Sequence, residues 1–311
     1  MKVDKQQILK ILHQSLVPFL LLFRHFRTFV LDGFEHIEEK LEHAALPAAP
    51  HLTSKTVMVT GAGGLIGSEI SRQLIQFQPA QILLVGDGEK SINLLDVQLK
   101  KLLERHTEII PVIINVQDKK RVFEAVGRYN PEIIYHTAGH HQMDVSEEKA
   151  EETLYASVYG TNNIAEAANR YRVGTFVMVS SEQAGKPRNL KEAAKRLAEI
   201  TTESIAATSL TRYTIVRLPE NLHVKKLAKN SDFIFEQKAP IVYAAQNILQ
   251  AGSADARFSK GGLFQQRDGV LRLAYQKQTE LSQIELARLL KQLKTAKEDE
   301  ARKLVISFIK Q

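Results

Sequence analysis

Residues 56–69 read TVMVTGAGGLIGSE, and this stretch restricts the fold most. Thr56-Val57-Met58-Val59-Thr60 is short, apolar and β-branched, the pattern of a parallel strand buried on both faces. Gly61, Gly64 and Gly67 follow at three-residue spacing, and Leu65, Ile66, Ile70, Leu74 and Ile75 then keep a helical period. A strand, a glycine turn and a helix in that order let the backbone approach a pyrophosphate and aim a helix N-terminus at it. A tight turn without a ligand has the same glycines, but the flanking strand and helix favour the cradle. Its expected contributors are Gly61, Gly64, Leu65, Ile66 and Gly67.

The pattern repeats downstream. Strands are expected at 56–60, 81–85, 109–114, 133–135, 175–180 and 214–218, with helices at 67–76, 90–105, 119–129, 147–172 and 190–208. Strands alternating with helices predict an α/β fold, a Rossmann-type doubly wound parallel sheet with right-handed crossovers. Ligands of such sheets bind beyond the carboxyl ends of the strands, where Gly61–Gly67 falls. Three regions are expected: an amphipathic helical segment and linker at 1–50, a dinucleotide-binding domain at 51–222, and a small, reduced substrate region with a helical tail at 223–311.

Asp87 closes the second strand, and a carboxylate there accepts hydrogen bonds from ribose hydroxyls and repels a 2′-phosphate. NAD is therefore favoured over NADP. Glycines on both sides, Gly86 and Gly88, also suit an aspartate that only makes a turn. Asn115 and Val116 follow the third strand, toward the adenine. His136 and Ala138 follow the fourth, with His136 expected to face the cofactor cleft.

Among 311 residues there is no cysteine, which excludes disulfides and thiolate metal sites and suits a reducing, cytoplasmic compartment. The net charge is +7, from 42 basic and 35 acidic residues. No nucleic-acid motif or dense Lys/Arg block accompanies it, so the charge points to anionic small molecules or a membrane surface rather than nucleic acid. His136, His140 and His141 lack carboxylate and cysteine partners and are read as a strand end and loop, with no metal site.

Residues 1–50 stand apart. Ile8, Leu12, Leu16, Phe19, Phe23, Phe26 and Val30 form part of an apolar face, while Lys2, Lys5, Lys10, Arg24 and Arg27 outnumber Asp4. The longest uncharged run, 11–23, is shorter than the roughly 20 residues that cross a bilayer. Two readings stay open: an interfacial helix on the inner face of a membrane, and a helical pair packed on a protein partner or the main domain. The AALPAAP stretch at 44–50 reads as a linker.

Several runs are specific enough to carry a resemblance: TGAGGLIGSE at 60–69, IIYHTAGHHQMDVSEE at 133–148, YGTNNIAEAANRYRVGTFVMVSSEQAGKP at 159–187, KEAAKRLAE at 191–199 and IVRL at 215–218. On these the chain resembles the CapD-like polysaccharide biosynthesis proteins, extended short-chain dehydrogenase/reductases whose best-known activity is UDP-N-acetylglucosamine 4,6-dehydration. The GxxGxxG spacing suits that group. The resemblance implies a nucleotide-sugar substrate such as UDP-N-acetylglucosamine. It also implies self-association through the helices at 147–172 and 190–208. It places catalytic roles on Ser181 and Glu182, with Lys191 and Lys195 in the place of the Tyr-x-x-x-Lys pair.

The departures from that family are as informative. Its Ser-Thr-Asp-Lys run becomes Ser180-Ser181-Glu182-Gln183. Ser181 still donates to a sugar hydroxyl and Glu182 still has a proton to offer a departing hydroxyl, but Gln183 brings no charge. Lys191 does not copy a tyrosinate. Two ammonium groups one helical turn apart would depress one pKa and yield an amine base, whereas a solvated basic helix face is the ordinary alternative. Ser157 replaces an asparagine, Pro219-Glu220 replaces Gly-Asn, and the segment after Leu222 is shortened. These changes leave two functions open: a nucleotide-sugar dehydratase, and a dinucleotide-binding scaffold without turnover that docks through residues 1–50.

Overall fold

The computed structural model describes residues 49–103, 107–139, 150–218, 238–253, 263–265, 271–273, 283–293, 300, 303–305 and 307. The expectations for residues 1–48, His140, His141, Glu220 and the segment after Leu222 as far as 237 lie outside the described residues.

Six strands form the parallel sheet: β1 (Thr56–Thr60), β2 (Gln81–Gly86), β3 (Glu108–Ile113), β4 (Ile133–His136), β5 (Thr175–Ser181) and β6 (Arg212–Leu218). Their order is β3-β2-β1-β4-β5-β6, the doubly wound order that reverses between β1 and β4. Thr60 pairs with both Val85 and His136 in register, so the Gly61 turn leaves the sheet at that reversal.

The strands are apolar throughout because both faces are covered. Val57, Val59, Ile82, Leu84, Tyr135, Val177 and Val179 pack into one core. Their alternate neighbours Met58, Leu83, Val85, Ile134, Phe176 and Met178 pack into the other. The first face is covered by α1 (Leu65–Leu74) and α2 (Glu89–Leu102), the second by α3 (Lys119–Tyr129), α4 (Ala150–Arg170) and α5 (Leu190–Ala206). Helix ends follow local chemistry. Asp118 accepts from the Arg121 amide at the start of α3, and Asn130 ends that helix in the left-handed conformation. Asn189 caps α5: its Oδ1 accepts from the Glu192 amide at 2.9 Å, while the Glu192 carboxylate accepts from Asn189 Nδ2 at 2.9 Å and from the Arg188 amide at 2.6 Å.

Two additions were not legible in the sequence pattern. Helix α6 (Lys238–Ala251) lies within the span 223–311, yet Ile241, Ala244, Ile248 and Leu249 join the core on the α1 face. Tyr135 donates to the Leu249 carbonyl at 2.9 Å and Gln73 to the Val242 carbonyl at 3.1 Å, so α6 is tied to β4 and α1. The second addition is an antiparallel pair, β7 (Leu263–Gln265) and β8 (Leu271–Leu273), which extends the sheet beyond β6. Strands of three residues are too short to show a period of two. Leu289 and Leu293 of a last helix, α7 (Gln283–Leu293), pack with Val158 of α4 and Leu190, Ala193 and Leu197 of α5, and Tyr159 donates to the Leu290 carbonyl. Among the described residues no helix is long and apolar enough to cross a membrane.

Candidate functional site

The cradle is built from backbone. Gly61 has φ +71°, in the left-handed region, and a Cβ there would lie 2.7 Å from the Ala138 nitrogen. A Cβ on Gly67 would lie within contact distance of the Gly61 carbonyl, closer than any real side chain approaches. These two glycines let β1, the turn and α1 close up beside the 137–139 loop after β4. The Ala62 amide donates to the Val85 carbonyl at 3.1 Å and the Gly64 amide to the Gly61 carbonyl at 2.9 Å, which fixes the turn from within. Gly64 then starts α1 with no side-chain cap and no acidic residue in the first turn. The first N–H groups of a helix have no intrahelical acceptor, so those of Leu65, Ile66 and Gly67 offer donors and the positive end of a dipole. The Ile66 side chain itself is buried in the core.

At the end of β2 Asp87 is exposed, and the Asn115 amide donates to its Oδ2 at 3.3 Å. Asn115 Oδ1 meanwhile accepts from the Gln117 amide at 2.8 Å. Val116 is buried under α4, where a Cβ on Gly160 would have no room beside it, and Asn163 donates to the Val116 and Gln117 carbonyls. The loop after β3 is thus fixed where it bounds the cleft.

His136 differs from its expected orientation. It is 1% exposed, its Nδ1 is 2.6 Å from Thr60 Oγ1 and its Nε2 is 2.9 Å from Thr161 Oγ1. Its ring stacks on Phe176, and burial pushes its pKa down to about 4. It is a neutral imidazole joining β1 to α4 beneath the cleft, with both nitrogens occupied. A terminal strand residue can end up on either side of the last turn of the sheet, and position along the sequence alone does not choose.

The second group of residues gathers around α5. Ser181 is buried and its Oγ accepts from the Gln183 amide at 3.3 Å, so it caps the short turn Glu182–Gly185. Glu182 is exposed on that turn. Ser180 is also buried, and its Oγ has no hydrogen-bond partner among the described residues. Lys191 is half-buried and Lys195 is 9% exposed, so the solvated-face reading fails for Lys195. Burial, and then the Lys191 charge, push the Lys195 pKa from the ordinary 10.5 to about 8, against the opposing pull of Glu199 and Glu192. An amine in that range exchanges a proton near neutral pH.

Sequence reasoning assigned no role to Glu199 and Arg217. Glu199 is fully buried, and Arg217 of β6 grips it with Nε at 2.8 Å and Nη2 at 2.6 Å. Arg196 donates to the same carboxylate at 2.9 Å. The available signal was Glu199 four residues after Lys195, on one face of α5. Among the described residues no group of three His, Cys, Asp or Glu side chains is arranged to hold a metal ion.

The geometry agrees with comparisons to known proteins. The family described as polysaccharide biosynthesis protein matches residues 57–222. The capsular polysaccharide biosynthesis protein CapD of Staphylococcus aureus is 41% identical over 167 residues, 53% of this chain and 28% of that relative. The probable polysaccharide biosynthesis protein EpsC of Bacillus subtilis is 40% identical over 166 residues, with the same shares of 53% and 28%. The chain thus spans little more than a quarter of the length of these relatives. A solved short-chain dehydrogenase from Mycobacterium smegmatis superposes with a TM-score of 0.53 at 19% identity, over 65% of this chain and 87% of that one, a likeness of fold. On the match over residues 57–222, within one doubly wound sheet, this chain belongs to the polysaccharide biosynthesis protein family.

Proposed function

We propose that the chain binds a nicotinamide dinucleotide, NAD in preference to NADP, and acts with it on a nucleotide-sugar such as UDP-N-acetylglucosamine. The observation that carries this reading is the cradle, where a Cβ on Gly61 or Gly67 would fill the space beside the uncapped start of α1. The N–H groups of Leu65, Ile66 and Gly67 would receive the pyrophosphate. Asp87, with Asn115 hydrogen-bonded to it, would accept the ribose hydroxyls. When bound, the cofactor supplies a hydride acceptor for a sugar carbon. Lys195 would move the proton that accompanies that chemistry, its ammonium already weakened by burial. Ser181 and Glu182 would stand on the sugar side, Glu182 with the proton for a leaving hydroxyl. Purified protein, denatured and assayed for released dinucleotide and then titrated with NAD and NADP, tests the reading. The absence of both released dinucleotide and saturable binding would defeat it.

A second reading keeps the dinucleotide and drops turnover. It is favoured by Gln183 and Lys191, neither of which supplies the proton chemistry of the residue it stands for. Incubation with NAD and UDP-N-acetylglucosamine, followed by mass spectrometry, separates the two. Loss of one water that vanishes in Glu182→Gln establishes the enzyme; unchanged sugar with bound NAD establishes the scaffold. In both readings residues 1–50 dock at a membrane surface or a protein partner, which flotation with anionic liposomes resolves. Self-association through α4 and α5 belongs to the same proposal, with α7 as part of that surface.

A further inference from the structure

The carboxylate of Glu199 is held by Arg217 of β6 and Arg196 of α5, and its charge acts on Lys195. Toward β6 it takes two hydrogen bonds from Arg217, in the paired geometry that gives Arg–carboxylate contacts their directionality. Arg217 stands opposite Ser180 in the sheet register, one residue before the Ser181–Leu218 pair. Its third nitrogen, Nη1, lies against the turn that carries Glu182: a Cβ on Gly185 would be 2.9 Å from it. Burial is the largest single influence on the Arg217 charge and works against it, but the Glu199 hydrogen bond and the charges of Glu199, Glu203 and Glu182 together outweigh it and raise its pKa. Toward α5, Glu199 lies one helical turn beyond Lys195, where its charge acts on that ammonium. The other charges acting on Lys195 are Lys191 and Glu192, on the same helix. A fully buried carboxylate is costly unless held by such partners, and here two arginines on two elements, Arg196 of α5 and Arg217 of β6, hold it.

We propose that Glu199 is the positioning residue of this half of the site: through Arg217 it sets the Glu182–Gly185 turn, and through its own charge it restrains Lys195. One carboxylate then coordinates the two groups that the chemistry needs on opposite sides of a sugar, an amine on α5 and an acid on the turn. The inference rests on the proposed function only in taking those two groups as the chemical half. Its measurements contain no dinucleotide or sugar, so its failure and that of the functional reading are separate events.

The test uses the whole chain and two readouts. Lysine side chains labelled with carbon-13 are titrated by NMR, with the Lys195 signal assigned from Lys195→Met. Amide exchange of the Glu182–Gly185 turn is followed by mass spectrometry. Glu199→Gln keeps the shape and removes the charge, so the Lys195 midpoint falls by about one pH unit and the turn exchanges faster. Arg217→Lys keeps the charge and loses the fork, so turn exchange rises about tenfold while the Lys195 midpoint stays in place. Arg196→Met removes a cation that shares the carboxylate and leaves turn exchange unchanged. A merely structural role for Glu199 would not move the lysine midpoint. An unmoved midpoint in Glu199→Gln overturns the proposal, and so does a turn loosened equally by Arg196→Met and Arg217→Lys. Since Arg217→Lys tests the turn independently, a failure of Glu199→Gln to fold does not protect the idea.

Discussion

The cradle after β1 and the helix α5 serve the same edge of one sheet by opposite means. At Gly61–Gly67 the proposed binding groups are backbone amides, and the residues that shape the turn are those that have no side chain. Space is the controlling variable there, with a Cβ on Gly61 2.7 Å from the Ala138 nitrogen. On α5 the proposed groups act through charge: burial and its helical neighbours Lys191, Glu192 and Glu199 set the state of Lys195, and Arg217 of β6 holds Glu199 in turn. Backbone geometry changes in steps, because a glycine either fits or does not. Ionisation changes by degrees, with burial and with each charge nearby. The second half therefore tolerates replacements such as Lys191 and Gln183 that leave the fold unaltered.

The sharpest way to break this contrast is Gly61→Ala. The new methyl meets backbone atoms and the residue must keep a positive φ, so we expect complete loss of dinucleotide binding by calorimetry and a stability loss of about 3 kcal/mol in urea. Beneath the cradle, His136 provides a pH-dependent counterpart. Its folded pKa of about 4 lies below the ordinary 6.5, so between those values the unfolded chain holds a proton that the folded chain does not. Stability therefore falls as pH drops through that window, by about 3 kcal/mol over the full range. Urea titrations from neutral pH down to pH 4 should lose this slope in His136→Gln.

Lys195→Met probes the other half, where the pH dependence has the same sign in a more alkaline window. Below pH 8 the folded state carries the burden of a buried ammonium; between about 8 and 10.5 the unfolded chain retains the proton that the folded one gives up, and stability rises with pH. A methionine of similar length removes the burden. It should stabilise the protein by about 2 kcal/mol at pH 7, with the gain shrinking above pH 8, while abolishing any turnover of a nucleotide-sugar. A fold gains little from such a lysine, and a stabilising loss-of-function variant would mark it as kept for chemistry. A destabilising Lys195→Met would instead place the residue among the structural contacts of α5.

What could be read from the sequence follows the same division. Thr56–Thr60 and the three glycines were legible because strand, turn and helix are contiguous and each is dictated locally. So were α3, expected at 119–129, and the doubly wound parallel sheet. Helix α6 was not, since its apolar residues lack a polar face and its partners on α1 are far away in sequence. Nor was the place of His136, which depends on Thr60, Thr161 and Phe176 meeting in space. Glu199 stood within the quoted KEAAKRLAE run, but its meaning required Arg217 on β6, and a carboxylate four residues after a lysine usually signals only a helix-surface pair.

The smallest effect is expected where the two kinds of control overlap, at Asp87. The residue belongs to the cradle half by position, yet it acts through charge and is exposed to solvent. Asn115 donates to one of its oxygens at 3.3 Å, leaving acceptor capacity on the carboxylate for two ribose hydroxyls. Asp87→Asn keeps the size and removes the negative charge that opposes a 2′-phosphate. NAD binding should weaken a few-fold and the NAD-to-NADP preference should shift toward NADP by about tenfold, read as a ratio of dissociation constants at low ionic strength. The shift should shrink as salt is added, because an exposed charge is screened over about 10 Å at 0.1 M. The same salt series on Gly61→Ala should change nothing, since steric exclusion has no ionic-strength dependence. A preference for NADP already present in the unaltered protein would show that Asp87 is a turn residue after all, and would leave the cradle as the sole determinant of binding on this side of the sheet.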